Sequence, residues 1–221
     1  MSTKDKIMDT AEHCFAEQGI ATTSVRTICR EAGVNLGAIT YHFGSKDNLV
    51  MAIFRRRAVP LIQERVAWLD ALKAEAGDQP ISLRKVVKAI VIPQRRLIKQ
   101  YPQFAEFLIR MKKYPNPKFH ELIAAEFREI FKKFDDILRD VLPPMPDDEF
   151  MIKMHLFICL MDMNLENDFH IKRLIPETLN SDRVTDILIS FVEYGLTSPT
   201  VGSEPGGLQK NDDSNEIETG A

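Results

Sequence analysis

The chain contains 221 residues, of which 44% are hydrophobic and 28% are charged, and its net charge is −3. This composition provides enough apolar side chains for a full hydrophobic core, in one large domain or in a small and a larger one. Because the net charge is close to zero, we exclude a protein that coats nucleic acid non-specifically over its whole surface.

The charges are distributed unevenly along the chain. Residues 1–57 contain eight Lys and Arg against six Asp and Glu, whereas residues 198–221 contain one against five. A basic excess favours binding to phosphate groups, so a nucleic-acid site is expected in the N-terminal part. The last segment is also rich in Gly, Pro, Ser and Asn, and residues 198–221 are predicted to form a disordered tail.

The sequence contains no recognisable targeting or membrane segment. The N-terminus leads directly into an amphipathic helix, and no apolar run reaches the roughly 18 residues needed to span a bilayer. Cys14, Cys29 and Cys159 lie in apolar helical patterns, so they are predicted to be buried, reduced thiols. We therefore expect a cytoplasmic protein with no membrane partner.

Two helices are predicted before residue 33. The first, residues 4–18, has Ile7, Ala11, Cys14 and Phe15 on one face and ends at Gly19. The second begins after a cap at Ser24 or Thr23 and is ended by Gly33. Its apolar residues recur at helical spacing and are Val25, Ile28, Cys29 and Ala32.

The segment from Gly33 to Lys46 predicts a third, short helix with a cap at each end. Asn35 can cap its first turn, Gly44 suits the left-handed residue that ends a helix, and Ser45 caps the next helix. The side chains predicted to face inward are Leu36, Ile39 and Phe43. Those predicted to face outward are Gly37, Ala38, Tyr41 and His42, with Thr40 on the flank. Such a face indicates close approach to another molecule.

The second and third helices together have the spacing of a helix-turn-helix motif. In this motif the second of the two helices enters the major groove of DNA. Ordinary corners between two helices of a bundle have the same spacing, and spacing alone leaves both interpretations open.

Residues 7–54 resemble the N-terminal domain of the TetR family of one-component transcriptional regulators. The residues that carry the resemblance are Ala11, Phe15, Gly19, Thr23, Ser24, Val25, Arg26, Ala32, Gly33, Val34, Tyr41, His42, Phe43, Ser45, Lys46 and Leu49. The family usually has a tyrosine, commonly in contact with a phosphate, where this chain has Thr40. Tyr41, one position later, is the candidate for that contact here.

The resemblance implies a regulator that binds an operator in double-stranded DNA. The residues predicted to contact DNA are Thr23, Arg26, Asn35, Leu36, Gly37, Ala38, Thr40, Tyr41, His42 and Lys46. The alternative to a DNA contact is an ion pair on the protein surface for Arg26, and a solvated side chain without a partner for Lys46. The basic run Arg55, Arg56 and Arg57 fits either a solvated face or a phosphate contact.

All apolar patterns after residue 46 are helical. A long helix begins at Lys46 and extends into the 70s, with Pro60 predicted to kink or interrupt it. Further helices are predicted over residues 81–100, 102–113, 118–142, 150–165 and 181–196, and no strand alternation of useful length is present. The fold is therefore predicted to be all-α. Its N-terminal helix-turn-helix DNA-binding domain has three helices and covers residues 1–54, and a larger helical ligand-binding and dimerisation domain covers residues 55–197.

The two helices nearest the C-terminus are predicted to form a homodimer interface. Residues 150–165 are apolar on nearly every face, so this helix must be buried on more than one side. The resemblance implies that these two helices pair with their symmetry mates in a four-helix bundle. The alternative is a central helix of a monomeric bundle.

The larger domain shows no catalytic motif, and no cofactor or metal is predicted. His155, Cys159 and Asp162 share one helix face and could bind a metal, but such groups are more often polar residues of a core or interface. We expect a repressor, not an enzyme, which a small-molecule inducer releases from DNA. The alternative is a helical enzyme or a protein-interaction adaptor with an appended DNA-binding unit. A ligand cavity is predicted among Phe107, Met111, Phe131 and His155.

Overall fold

The computed structural model describes residues 2–162 and 181–199, and these residues form helices joined by short connections. The helices are α1 (Thr3–Gln18), α2 (Val25–Glu31), α3 (Leu36–Phe43), α4 (Lys46–Ala76), α5 (Leu83–Gln100), α6 (Pro102–Lys112), α7 (Pro117–Val141), α8 (Asp147–Asp162) and α9 (Ser181–Thr197). No strand occurs in these two ranges, and the predicted all-α fold is confirmed. Of the predicted tail, residues 200–221 lie outside the described part.

The N-terminal helices begin and end at the residues predicted from local sequence signals. Ser24 Oγ accepts a hydrogen bond from the Thr27 amide at 3.0 Å, and Ser45 Oγ accepts one from the Asn48 amide at 3.1 Å. Gly44 ends α3 with a φ of 75°, a conformation that a side chain would strain. The predicted turn chemistry is therefore confirmed around the helix-turn-helix segment.

Helix α4 is long enough to belong to two hydrophobic clusters. Leu49 and Ile53 are buried in a cluster with α1 to α3, whereas Leu69 and Leu72 are buried in a second cluster with α5, α7, α8 and α9. The helix continues through Pro60, which is exposed, so of the two predicted effects of this proline the interruption is wrong and the kink stays a prediction. A single helix therefore connects the two hydrophobic clusters.

The core of the N-terminal unit includes residues from later in the chain. Phe104, Phe107 and Met111 of α6 are buried in the same cluster as Ile7 and Phe15 of α1. The rings of Phe15 and Phe107 are 6.3 Å apart, and neither side chain is exposed to solvent. Because a three-helix unit of about 50 residues buries little apolar surface by itself, α6 supplies much of the core behind the helix-turn-helix.

The three cysteines differ in their surroundings. Cys14 and Cys29 are buried, and burial raises the pKa of both thiols, which keeps them protonated. Cys159 is exposed on α8, so the prediction that it is buried is wrong. The sequence pattern around it is apolar because α8 has apolar residues on its outer face as well as its inner one.

Candidate nucleic-acid interface

Helix α3 separates its side chains into an inner and an outer face. Ile39 and Phe43 are 2% and 8% exposed, whereas Tyr41 is 84% exposed. Gly37 and Thr40 are exposed as well, and Ala38 and His42 are half-buried. Leu36 is 49% exposed, so its predicted place in the inward stripe is wrong, and its orientation instead fits the predicted contact with bases.

Gly37 lies on this outer face without any requirement from the fold. A Cβ atom built at Gly37 meets only Asn35 Oδ1, at 3.5 Å, which is an ordinary contact distance. Glycine inside a helix costs about 1 kcal/mol relative to alanine, because its backbone loses more conformational freedom on folding. The absent side chain therefore leaves room for a molecule that approaches α3 from outside.

Two other predicted contact residues lie beside α3. Arg26 is exposed on α2. Lys46, in the first turn of α4, is half-buried, and its Nζ lies 3.5 Å from the carbonyl oxygen of Ala21. Burial lowers the pKa of the Lys46 ammonium, and the carboxylate of Asp47 opposes this shift. Both cations lie on elements that directly flank the outer face of α3.

The predicted phosphate contact by Thr23 is wrong. Its side chain is 1% exposed, and its hydroxyl lies 2.7 Å from the Gly19 carbonyl oxygen and 3.3 Å from that of Cys14. The buried Thr23 side chain therefore stabilises the connection between α1 and α2. Asn35 is exposed but has a structural task too, because its Oδ1 accepts a hydrogen bond from the Ala38 amide at 2.9 Å.

Arg56 and Arg57 hold α4 against its neighbours. Arg56 donates hydrogen bonds to Asp9 and to the buried Glu12, each at 2.7 Å, and so ties α4 to α1. The guanidinium carbon of Arg57 lies 3.6 Å from the ring centre of Tyr101, where α5 meets α6. For these two arginines, both interpretations of the basic run are wrong, because neither a solvated face nor a phosphate contact fits these partners.

A second attachment connects the start of α4 to the segment between α6 and α7. The Tyr114 hydroxyl donates to one oxygen of Asp47 at 2.8 Å, and the Asn116 amide donates to the other at 2.9 Å. Burial and the adjacent carboxylate raise the pKa of Tyr114 to about 12. The sequence offered no signal for this contact, since its partners are 67 and 69 residues apart.

Family models match both parts of the chain. The model described as bacterial regulatory proteins, tetR family, matches residues 7–53, and the one described as tetracyclin repressor-like, C-terminal domain, matches residues 89–195. The chain belongs to the TetR family. The family predicted from the residues around α3 is thereby confirmed.

Among similar TetR-family proteins, the repressor AcnR of Corynebacterium glutamicum is 36% identical over 62 residues, which are 28% of this chain and 33% of that protein. The regulator AcrR of Shigella flexneri is 40% identical over 100 residues, which are 42% of this chain and 44% of that protein. The matches therefore span less than half the length of these two relatives.

Two solved structures share the TetR fold at low sequence identity. The Pseudomonas aeruginosa protein NalD, described as the secondary repressor of the MexAB-OprM multidrug efflux pump, is 21% identical with a TM-score of 0.63, over 88% of this chain and 96% of that one. A TetR-like regulator from Rhodococcus is 17% identical with a TM-score of 0.58, over 88% of this chain and 95% of that one. At these identities the likeness shows the fold alone.

The four residues predicted to line a ligand cavity of this TetR-family chain do not lie together, so that prediction is wrong. Phe107 and Met111 are buried in the N-terminal core. Phe131 is 48% exposed on α7 and contacts Phe127, with ring centres 6.3 Å apart. His155 is exposed on α8, where its Nε2 lies 3.6 Å from Cys159 Sγ. The sequence pattern predicted that all four residues lie in helices, but it did not predict which of these helices pack together.

Helices α8 and α9 present a broad apolar surface to solvent. The exposed apolar side chains on it are Met151, Ile152, Leu156, Ile158, Ile187, Phe191 and Tyr194. A cavity of about 180 Å³ opens between the two helices, with Leu156 on one side and Phe191 on the other. An apolar surface of this extent is typical of a protein interface.

The described residues include no group of three His, Cys, Asp or Glu arranged to bind a metal ion. Of the predicted triplet on α8, the side chain of Asp162 lies outside the described part. None of the helices in residues 2–162 and 181–199 is both long and apolar enough to cross a bilayer.

Proposed function

We propose that the protein is a homodimeric transcriptional repressor that binds a palindromic operator through α3 and is released by a small-molecule inducer. The observation that carries this proposal is the outer face of α3, where Tyr41 extends into solvent beside a glycine that the fold does not require. The family membership and the printed names of AcnR and NalD support the same function.

The contacts with DNA follow from the positions on and beside α3. Leu36, Gly37, Ala38, Thr40 and Tyr41 face base edges in the major groove. Arg26 reaches a base edge from α2. His42 and Lys46, with Tyr41, contact phosphates, and backbone amides at the start of α4 provide further donors.

The apolar surface of α8 and α9 supports the homodimer. Two copies related by a two-fold axis bury the same surface on each protomer. Each dimer then presents two α3 helices to DNA, and the operator consists of two half-sites about one helical turn, or a multiple of it, apart.

The inducer acts through the contacts that hold the N-terminal unit. A ligand shifts DNA binding only by its differential affinity for two conformations, and such coupling is typically about 1–3 kcal/mol. Helix α4, the packing of α6 on α1 and the contact of Asp47 with Tyr114 all attach that unit to the larger part of the chain. A displacement of α7 relative to α4 would thus reach Lys46 directly.

The test begins by selecting bound duplexes from a random DNA library. We expect an enriched palindrome, and Tyr41→Ala should bind it at least about tenfold more weakly, since each good base contact contributes about 1–3 kcal/mol. The melting temperature should stay within about 1 °C of wild type, because Tyr41 is 84% exposed. Phe131→Ala, which also removes a partly exposed aromatic ring but on α7, tests whether ring loss alone matters in thermal unfolding. A library without any enriched sequence would refute the proposed function.

Gly37→Ala is expected to separate stability from DNA binding. The substitution should stabilise the protein by about 0.5–1 kcal/mol, because alanine favours the helix and meets no close contact. The same methyl group should weaken operator binding, since it occupies the space left for the bases. Chemical denaturation and fluorescence anisotropy with the selected duplex measure the two effects. Unchanged operator affinity would show that nothing approaches α3 at Gly37.

A further inference from the structure

Helix α3 lacks the side chains with which proteins most often distinguish bases. Selective hydrogen bonds to a base edge come from Arg or Lys at guanine, from Asn or Gln at adenine, and from Asp or Glu at cytosine. None of these six residue types occurs between Leu36 and Phe43. Just before the helix, Asn35 Oδ1 accepts from the Ala38 amide at 2.9 Å, so a paired contact of this side chain with adenine would disturb the cap of α3.

The hydrogen-bonding groups that α3 does contain discriminate weakly between bases. Tyr41 and Thr40 each have a single hydroxyl. His42 is half-buried, and its ring lies edge-on to that of Tyr41 with ring centres 5.0 Å apart. A single donor finds an acceptor on adenine, guanine or thymine in the major groove, so one such hydrogen bond does not identify a base pair. These side chains alone therefore do not account for a specific operator.

The outer face of α3 offers aliphatic groups instead. Leu36 is 49% exposed, Thr40 is exposed, and Ala38 is half-buried. Leu36 and Thr40 are about 6 Å apart along the helix axis, which is close to two base-pair steps of DNA. Between them Gly37 adds no side chain, and a Cβ atom built there meets Asn35 Oδ1 at an ordinary 3.5 Å. This surface therefore suits close contact with apolar groups in the groove.

We propose that α3 recognises the methyl groups of thymine, so that each half-site of the operator has thymines within three consecutive base pairs beneath α3. The proposal rests on the proposed function as an operator-binding repressor, and it names the bases that the repressor reads. Thymine is the base that presents a methyl group in the major groove, and aliphatic side chains contact it there. Leu36 and Thr40 each cover one such methyl group, and the open space at Gly37 lets α3 come close enough for both contacts.

The experiment uses the full-length protein and the duplex enriched from the random library. Each thymine is replaced in turn, in both half-sites, by deoxyuridine, which keeps the base-pairing groups and lacks only the methyl group. A buried methyl group contributes roughly fourfold in affinity, and each replacement removes one from both half-sites. Anisotropy should therefore show binding about ten- to twentyfold weaker at two positions within three consecutive base pairs. Thymines elsewhere in the duplex should tolerate the replacement.

Variants of α3 assign the two positions to their side chains. Thr40→Ser keeps the hydroxyl but lacks the methyl group, so it should lose the effect of deoxyuridine at one position. Thr40→Val keeps a methyl group and lacks the hydroxyl, so it should retain that effect. Leu36→Ala should lose the effect at the other position. Arg26→Ala is the control on α2, and it should weaken binding to the thymine and deoxyuridine duplexes by the same factor.

Three results would contradict the proposal. An enriched duplex whose thymines all tolerate deoxyuridine would overturn it and leave the operator-binding function intact. The same conclusion would follow if Thr40→Ser and Thr40→Val responded alike to deoxyuridine. If the library yielded no enriched duplex, the repressor function itself would be refuted, and this proposal with it.

Discussion

Phe191→Asp is expected to convert the protein into a monomer that no longer binds its operator specifically. Phe191 is 64% exposed in the protomer and lines the cavity between α8 and α9, on the surface proposed as the interface. Two carboxylates brought together in an apolar interface lose their hydration without gaining a partner. Since a single half-site offers few contacts, operator affinity should fall about a thousandfold or more, towards the non-specific level.

The measurement combines light scattering for mass with anisotropy for operator affinity. Leu122→Asp is the matched control, because Leu122 is 57% exposed on α7, away from α8 and α9, and receives the same charge. This control should remain dimeric. The circular dichroism of Phe191→Asp should match wild type, as the side chain is not part of the protomer core. If Phe191→Asp keeps the mass of a dimer, the dimer interface lies elsewhere on the protein.

Phe107→Ala is expected to destabilise the protein by about 3–5 kcal/mol, the range for removing a buried phenylalanine. Phe107 has no exposed surface and contacts Phe15 of α1 and Phe104 of α6. The cavity left behind would lie under the helix-turn-helix unit. We therefore expect hydrogen exchange to increase most in α1, whose amides depend on this packing.

Phe131→Ala is the control for this substitution, since it deletes the same atoms from a side chain that is 48% exposed. It should cost less than about 1 kcal/mol in denaturant unfolding. If Phe107→Ala cost equally little and altered the response to an inducer, Phe107 would line a cavity after all, as the sequence pattern had predicted.

The parts of this fold that the sequence predicts well are those determined by neighbouring residues. The caps at Ser24, Asn35 and Ser45, the glycine turn at Gly44 and the outward position of Tyr41 all depend on signals within a few residues. For the same reason the start of the long helix at Lys46 was predictable. Helical periodicity then indicated the all-α class for the remaining chain.

The features that the sequence did not predict are contacts between distant helices. In the run of three arginines, two resemble a solvated or phosphate-binding surface in the sequence, but the structure places Asp9 and Glu12 opposite one and Tyr101 opposite the other. Thr23 likewise looked like an exposed hydroxyl because its buried acceptors belong to α1 and to the turn after it. The pairing of α6 with α1 also moved two predicted cavity residues into the N-terminal core.

The packing of α6 on α1 also affects when the N-terminal core can fold during synthesis of the chain. Helices α1 to α3 leave the ribosome first, yet their core lacks Phe104, Phe107 and Met111 until α6 has been synthesised. The hydrogen bond between His13 and Gln103, whose partners are 90 residues apart, cannot form before then either. At about 5–20 residues per second, this delay lasts several seconds. A nascent or prematurely terminated chain that ends before α6 therefore carries the whole helix-turn-helix sequence without the packing that supports it, and we expect it to compete poorly for the proposed operator.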